Sequence, residues 1–345
     1  MLASREGRRR GAGQTGLGMD GDVAAFARGL HEPAARAPGE AGWRARLKRR
    51  TLLRSAGGAG ALGLGLGGYA FAYEPGVRLR VVEHHLSPAG WPADLPLSIA
   101  LVADPHCGGP HTTLARLGRA VALTNALRPD LVVLLGDYLA DHRFTTSRPS
   151  FRGVAEVLAR LQAPLGVHAI LGNHDWWEDA ATQRGAGGLP EAAADFAAAG
   201  LPILHNEARR LVHNGRPVWL GGLGSQWAYR EKRGAYRGAD DLAATLGAFT
   251  DDAPAILLAH EPDIFPAVPG RVAVTLSGHT HGGQVRIGGY SPVVPSRFGN
   301  RYAYGAIEEA GRHLVVSGGI GNSMLPVRFG MPPELTMVRL GGAAA

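Results

Sequence analysis

A single cysteine, Cys107, is all that 345 residues contain. An intrachain disulfide is therefore excluded, and so is any zinc module built from four thiolates. An excess of one charge is also missing from most of the chain. Residues 1–54 hold 12 Lys and Arg against 5 Asp and Glu, which accounts for the whole formal net charge of +7, and residues 55–345 are left with 24 of each sign. A nucleic-acid-binding domain spreads cations over its folded surface, since each phosphate contact needs one. The high isoelectric point here belongs to a tail, and no nucleic-acid partner is expected. No internal repeat of fixed period is visible. An apolar fraction of 45% is nonetheless ordinary for a globular protein with a substantial core.

What is present begins with a Gly-, Ala-, Pro- and Arg-rich stretch over residues 1–47, which lacks apolar periodicity and reads as a disordered basic tail. Lys48-Arg49-Arg50-Thr51-Leu52-Leu53-Arg54 then leads into an uncharged run from Ser55 to Ala72, closed by Ala70-Phe71-Ala72, which has the small-x-small form of a cleavage site. Residues 48–72 resemble a twin-arginine export signal in the paired arginines, the Leu two residues later and the Gly-rich, mildly hydrophobic core. Lys48 stands where Ser or Thr is more usual. If the run is not cut, it lies at the short end for a membrane span and serves as an anchor. Cleavage and retention both stay open. The resemblance implies the twin-arginine export machinery and the membrane as partners. With the cations on the cytoplasmic side, the domain lies at the extracytoplasmic face of the inner membrane or in the periplasm.

Residues 73–96 read as a linker and first strand, and 97–340 as one domain. Short apolar runs cover Leu97 to Ala103, Leu131 to Leu135, Val167 to Leu171, Val218 to Leu223, Ala255 to Ala259, Val272 to Leu276 and His313 to Ser317. Between the first two, Leu114, Leu117, Val121 and Thr124 recur at helical spacing, and Pro129 ends the helix. Near-continuous apolar strands alternating with helices mean a sheet buried on both faces. The strand-rich second half adds another sheet, and the expected α/β fold is a four-layer α/β/β/α sandwich of two mixed sheets.

The chemistry sits where these strands end. The first leads into Asp104-Pro105-His106, the second into Gly136-Asp137, the third into Gly172-Asn173-His174-Asp175, the fifth into His260 and the sixth into Gly278-His279-Thr280-His281. In an open α/β sheet the carboxyl ends of strands converge on one crevice, so these loops are expected to meet. Carboxylate, imidazole and amide oxygen suit borderline-hard divalent ions such as Mn, Fe or Zn.

These residues resemble the calcineurin-like metallophosphoesterase family, whose motifs Asp-x-His, Gly-Asp, Gly-Asn-His-Asp/Glu, a lone His and Gly-His-x-His appear in this order over residues 97–282. The Gly278–Gln284 form of the last motif, Tyr73-Glu74-Pro75, and Leu325-Pro326-Val327-Arg328-Phe329 followed by Pro333-Glu334 resemble its bacterial membrane-associated phosphodiesterase subgroup. Ala103 and Pro105 are small departures that remove no ligand. The resemblance implies two divalent metal ions. Asp104, His106, Asp137 and His281 would hold the first, and Asp137, Asn173, His260 and His279 the second. It also implies that the pair activates water against a phosphoester, with His174 protonating the leaving oxygen and Asp175 fixing its tautomer. The missing Asp-Arg-Gly run after Gly136-Asp137, and Asp175 in place of Glu, argue against a protein phosphatase. A phosphodiesterase or pyrophosphatase is expected, acting on a small or lipid-linked phosphoester; a UDP-diacylglucosamine-type substrate belongs to that class. The alternative is a non-catalytic, membrane-tethered metal-binding scaffold.

Other residues carry less. His111, His142, His168, His205, His213 and His313 lack motif context, and Cys107 reads as a small buried neighbour of His106. Trp176 and Trp177 follow the third motif and line either the entrance or the core. Arg328 either meets a substrate phosphate or pairs with Glu334, and Gly318–Gly321 is expected to be a tight turn.

Overall fold

The computed structural model describes residues 40–342 apart from Ala186, with side chains from residue 48 onward. Most of the expected tail, residues 1–39, lies outside the described residues. Two compact units divide at Gly57 and Gly58. Helix α1 runs Glu40–Gly68, so 40–47, assigned above to the disordered tail, is helical. Among the described residues no helix is long and apolar enough to cross a membrane.

In the second unit a π-helical turn, Tyr69–Tyr73, leads into α2 (Glu74–Val77) and β1 (Arg80–Leu86). The order then runs β2 (Leu97–Val102), α3 (Leu114–Ala126), β3 (Leu131–Leu134), α4 (Phe151–Leu158) and β4 (Val167–Ala169). It continues through α5 (Asn173–Trp177), α6 (Ala180–Gln183), α7 (Glu191–Ala198), β5 (Glu207–His213), β6 (Arg216–Gly222) and a small hairpin, β7 (Tyr229–Arg230) with β8 (Tyr236–Arg237). Last come α8 (Leu242–Gly247), β9 (Ala255–Leu258), β10 (Val272–Ser277), β11 (Gly305–Glu309), β12 (Arg312–Val316) and β13 (Glu334–Leu340).

The fold is the four-layer arrangement expected. One five-stranded sheet has the order β1-β13-β2-β3-β4, the other six strands in the order β11-β12-β10-β9-β6-β5. Both are mixed: β2, β3 and β4 are parallel, as are β6, β9, β10 and β12, whereas β13 runs antiparallel to β2 and the edge strands β5 and β11 run antiparallel to their neighbours. Strand period explains the layering, because alternate side chains point to opposite faces. Ile99, Leu101, Leu131 and Val133 meet Ile256, Leu258, Val274 and Leu276 between the sheets. Ala100, Val102, Val132 and Leu134 face Leu117, Val121, Val154 and Leu158 of α3 and α4. The outer face of the second sheet is covered more thinly, by Leu242 and Leu246 of α8 and by Ile264 of a 3₁₀ turn. Each fully buried aliphatic side chain in these layers contributes roughly 1.5–3 kcal/mol. Helix α3 starts where Thr113 accepts a hydrogen bond from the Arg116 N–H, and it stops before Pro129 as its spacing predicted.

The folded unit begins earlier than residue 97. Strand β1 pairs in parallel with β13, from Arg80 opposite Glu334 to Leu86 opposite Leu340, and β13 lies between β1 and β2.

Candidate metal centre

The carboxyl ends of β2, β3, β4, β9 and β10 deliver Asp104, His106, Asp137, Asn173, His260, His279 and His281 to one place, and all are buried. Tight backbone turns make this possible. Gly136 has φ 92° and sits so close to the Gly172 backbone that a Cβ would collide with it, and a Cβ on Gly172 would press on Asp137 Oδ1 and the His260 ring. Glycine is the residue that allows both approaches. The side chains themselves leave strained backbone, with φ 48° at Asp104, 36° at His106, 57° at Asp137, 70° at His279 and 52° at His281. Left-handed backbone costs an ordinary residue about 1 kcal/mol or more, and such strain gathers at functional sites.

Contacts cross between the sheets. The His279 N–H donates to Asp104 Oδ1 at 2.9 Å. Asn173 Oδ1 lies 2.8 Å from His279 Nδ1 and 3.1 Å from His260 Nε2. His260 Nδ1 donates to the Leu135 carbonyl at 2.6 Å, which turns Nε2 toward Asp137 Oδ2 at 3.2 Å. His106 Nε2 lies 3.4 Å from the same oxygen, and His281 Nε2 lies 3.8 Å from Asp104 Oδ1.

Three groups have ligand atoms within 4.8 Å of one another: Asp104, His106 and His281; His106, Asp137 and His174; Asp137, His260 and His279. His106 and Asp137 each belong to two of them. Within these groups His106 Nε2, His174 Nδ1, His279 Nε2 and His281 Nε2 are buried without a hydrogen-bond partner, as is Asn173 Nδ2 beside them. Buried polar atoms are normally paired. Unpaired imidazole nitrogens beside carboxylates form a donor set that fits divalent cations.

The electrostatics agree. Burial pushes the Asp104 carboxyl up to about 6, with the Asp137 charge adding to the rise against the pull of His260. Burial acts on Asp137 in the same direction, but His260, His174 and His106 outweigh it and hold this carboxyl well below the usual range. His279 and His281 are kept neutral, chiefly by burial, with His260 reinforcing this at His279 and His106 and the Arg328 guanidinium at His281. Neutral imidazole is the form that binds a metal.

His174 faces the same space from α5, with Nε2 4.0 Å from Asp137 Oδ2. Its expected partner requires a correction. Asp175 does not fix the His174 tautomer: its carboxylate accepts backbone N–H groups of Gly172, Asp137 and Tyr138 at 2.8–2.9 Å, tying the third motif to the second. His174 Nδ1 lies instead 2.9 Å from Asp141 Oδ2. Burial would lower the His174 pKa, yet the charges of Asp137 and Asp141 carry it upward. Burial, aided by Asp137, lifts Asp175 to about 7.

Apart from Trp177, the other residues at this site were not singled out from sequence. Trp177, Tyr236 and Trp227 form a stack, with centroids 5.3 Å and 4.7 Å apart and rings 18° and 4° from parallel. Its two ends touch the centre, Trp177 at 4.7 Å from His174 and Trp227 at 4.6 Å from His279. Trp177 thus lines the entrance, whereas Trp176 is core. Ser323 Oγ lies 3.4 Å from His174 Nε2. Aromatic residues in a hairpin give a sequence signal only once the hairpin's place is known.

The tail motif is structural. Arg328 is wholly buried, donates to the carbonyls of Gly318, Gly319, Gly321 and Met331, and approaches His281 Nδ1 at 3.2 Å. It therefore meets neither solvent nor Glu334, which pairs with Arg80 at 2.9 Å. Gly318–Gly321 is not the tight turn expected: it is an irregular segment that bends at Ile320 and Gly321, whose N–H groups donate to the Ala103 and Asp104 carbonyls. Glu74 is buried and accepts from Met331 N at 2.7 Å and Gly330 N at 3.2 Å. Cys107 is buried, and desolvation pushes its thiol up to about 12, so it is no nucleophile.

Strand-end carboxylates and imidazoles gathered between two sheets define a class, the metal-dependent phosphoesterases. The calcineurin-like phosphoesterase family profile matches residues 97–283, and the chain belongs to that family of metal-dependent phosphoester hydrolases. It is 30% identical over 305 residues to the metallophosphoesterase YkuE of Bacillus subtilis (strain 168), covering 86% of this chain and 98% of that one. It is 29% identical over 299 residues to the phosphodiesterase YaeI of Escherichia coli (strain K12), covering 85% and 99%. A transmembrane protein with metallophosphoesterase domain from Danio rerio is 30% identical over 251 residues, which is 71% of this chain and 53% of that one.

Proposed function

We propose that this protein is a phosphodiesterase or pyrophosphatase that acts at a membrane surface on a lipid-linked or small phosphoester. The observation that carries the hydrolase is the three interlocking groups around Asp137 and His106. Asp104, His106, Asp137 and His281 would hold one divalent ion, and Asp137, Asn173, His260 and His279 the other. When bound, such ions supply Lewis acidity toward the phosphoryl oxygens and the incoming water.

The chain's own groups do the rest. As the bond from phosphorus to the ester oxygen breaks and one from water forms, His174 Nε2 gives its proton to the leaving oxygen, the attacking water releases a proton to solvent, and His174 is reprotonated from solvent. Asp141 Oδ2, 2.9 Å from Nδ1, places a carboxylate charge beside the ring and stabilises its cationic form beforehand. The Trp177–Tyr236–Trp227 stack gives the site an apolar wall, which suits an organic leaving group better than bare phosphate. The name of the Escherichia coli relative supports diester cleavage. Arg49 and Arg50 before the uncharged run support twin-arginine export to the extracytoplasmic side.

Hydrolysis of a chromogenic phosphate diester and of the matching monoester by the metal-loaded full chain tests the proposal. Faster diester turnover is expected. Turnover of neither would leave a metal-binding scaffold in its place.

A further inference from the structure

Large apolar side chains are exposed in three segments far apart in sequence. Phe71, Ile287, Tyr290, Val293, Met324 and Leu325 are each 42–72% exposed. The fold brings their segments together. Tyr69 packs edge-on against Phe329 at 5.9 Å, and the Arg328 N–H donates to the Ala70 carbonyl. Phe329 in turn bridges to the 285–290 loop, with Val285 paired to it and the Arg286 N–H donating to its carbonyl. Gln284 closes the third side, accepting from Ser323 N at 2.6 Å and donating to the Leu325 carbonyl at 3.3 Å. The patch is therefore a continuous rim, and it adjoins the metal centre through Ser323 and through Gln284, which directly follows the His281 turn.

A contiguous exposed apolar patch on a soluble surface marks an interaction site. Its charge narrows the occupant. Among residues 69–78, 284–294 and 322–329 the only carboxylate is Glu74, which is fully buried, whereas Arg78 is exposed and Arg286 partly so. A rim without exposed acid and with cations beside apolar side chains complements an anionic lipid surface. The rim is also continuous with the uncharged run that ends α1, where Leu62, Leu64 and Leu66 are exposed.

We infer that this rim docks the catalytic unit on an anionic lipid bilayer, seating Ile287, Tyr290, Met324 and Leu325 among the acyl chains so that the metal centre opens at the headgroups. The inference rests on the membrane-surface reading above and specifies the contact. A lipid-linked phosphoester then reaches the centre without leaving the bilayer.

The full-length Ile287→Cys variant tests this when labelled with an environment-sensitive fluorophore, since Cys107 is buried and does not compete. Vesicles of phosphatidylglycerol and phosphatidylethanolamine should shift its emission to the blue, while the same label at Glu156→Cys, on α4, should not move. Combining Ile287→Ser, Tyr290→Ser and Met324→Ser should lower vesicle-bound protein several-fold without changing hydrolysis of a soluble diester. An unmoved label on bound protein overturns the inference, because α1 alone would then account for binding. A shift that grows with protein concentration in the absence of vesicles overturns it in favour of a second copy of the chain. Loss of soluble-diester hydrolysis in the unmodified protein counts against the hydrolase reading and leaves the label's result to stand separately.

Discussion

The two sheets bring different chemistry to the centre. Strands β2, β3 and β4 deliver both carboxylates, the amide and one imidazole, in Asp104, Asp137, Asn173 and His106, while β9 and β10 deliver only imidazoles, in His260, His279 and His281. Neither half is sufficient. The first concentrates negative charge in a buried space, as the lifted Asp104 carboxyl shows. The second has lone pairs but no charge to hold a cation. The site is a property of the seam between the sheets, held in register by the core formed by Ile99, Leu101, Ile256 and Val274.

Removing the carboxylate that both halves share should break the comparison outright. Asp137→Ala is expected to lower turnover on the order of 10³-fold or more, and elemental analysis should find both ions depleted. If the ions persisted, the two halves would be acting independently. Next in size, His174→Gln should cost about 10²-fold or more in kcat while bound metal, read by the same analysis, is unchanged. Ions held as proposed would join the halves, so stripping them should loosen the seam. Restoring a divalent ion at a hundred times its Kd is expected to return about 2.7 kcal/mol, seen as a rise in Tm. Asp141→Asn sharpens the first-sheet side alone. A loss of about 10- to 100-fold in kcat with little change in KM would mark Asp141 as a positioning residue. Smallest, Glu74→Gln should lower stability by about 1 kcal/mol, checked by denaturant unfolding, with both halves of the centre intact.

Much of this centre was legible because strand ends carry ligands and strands announce themselves as apolar runs. The helix between Leu114 and Pro129 follows from spacing, the convergence of the loops from the strand ends, and the proposed ligand set from the resemblance to the family's motifs. Asp175 was misread for a physical reason. Consecutive residues on a helix point about 100° apart, so Asp175 turns inward to the backbone while His174 faces the cavity. Asp141, Trp227, Tyr236 and Ser323 stayed hidden because each sits in a loop or hairpin whose position is set by tertiary packing. Glu74 looked like a linker residue, and only the return of the tail to Gly330 and Met331 gives it a partner.

The place of β13 has a consequence for biosynthesis. It is the last strand among the described residues, yet it sits inside its sheet with β1 on one side and β2 on the other. Until Glu334–Leu340 emerges, β1 has nothing to pair with and β2 presents an open edge. The five-stranded sheet can therefore close only after residues 334–340 have been made, and a nascent chain stalled before them would display an unclosed sheet to the quality-control proteases.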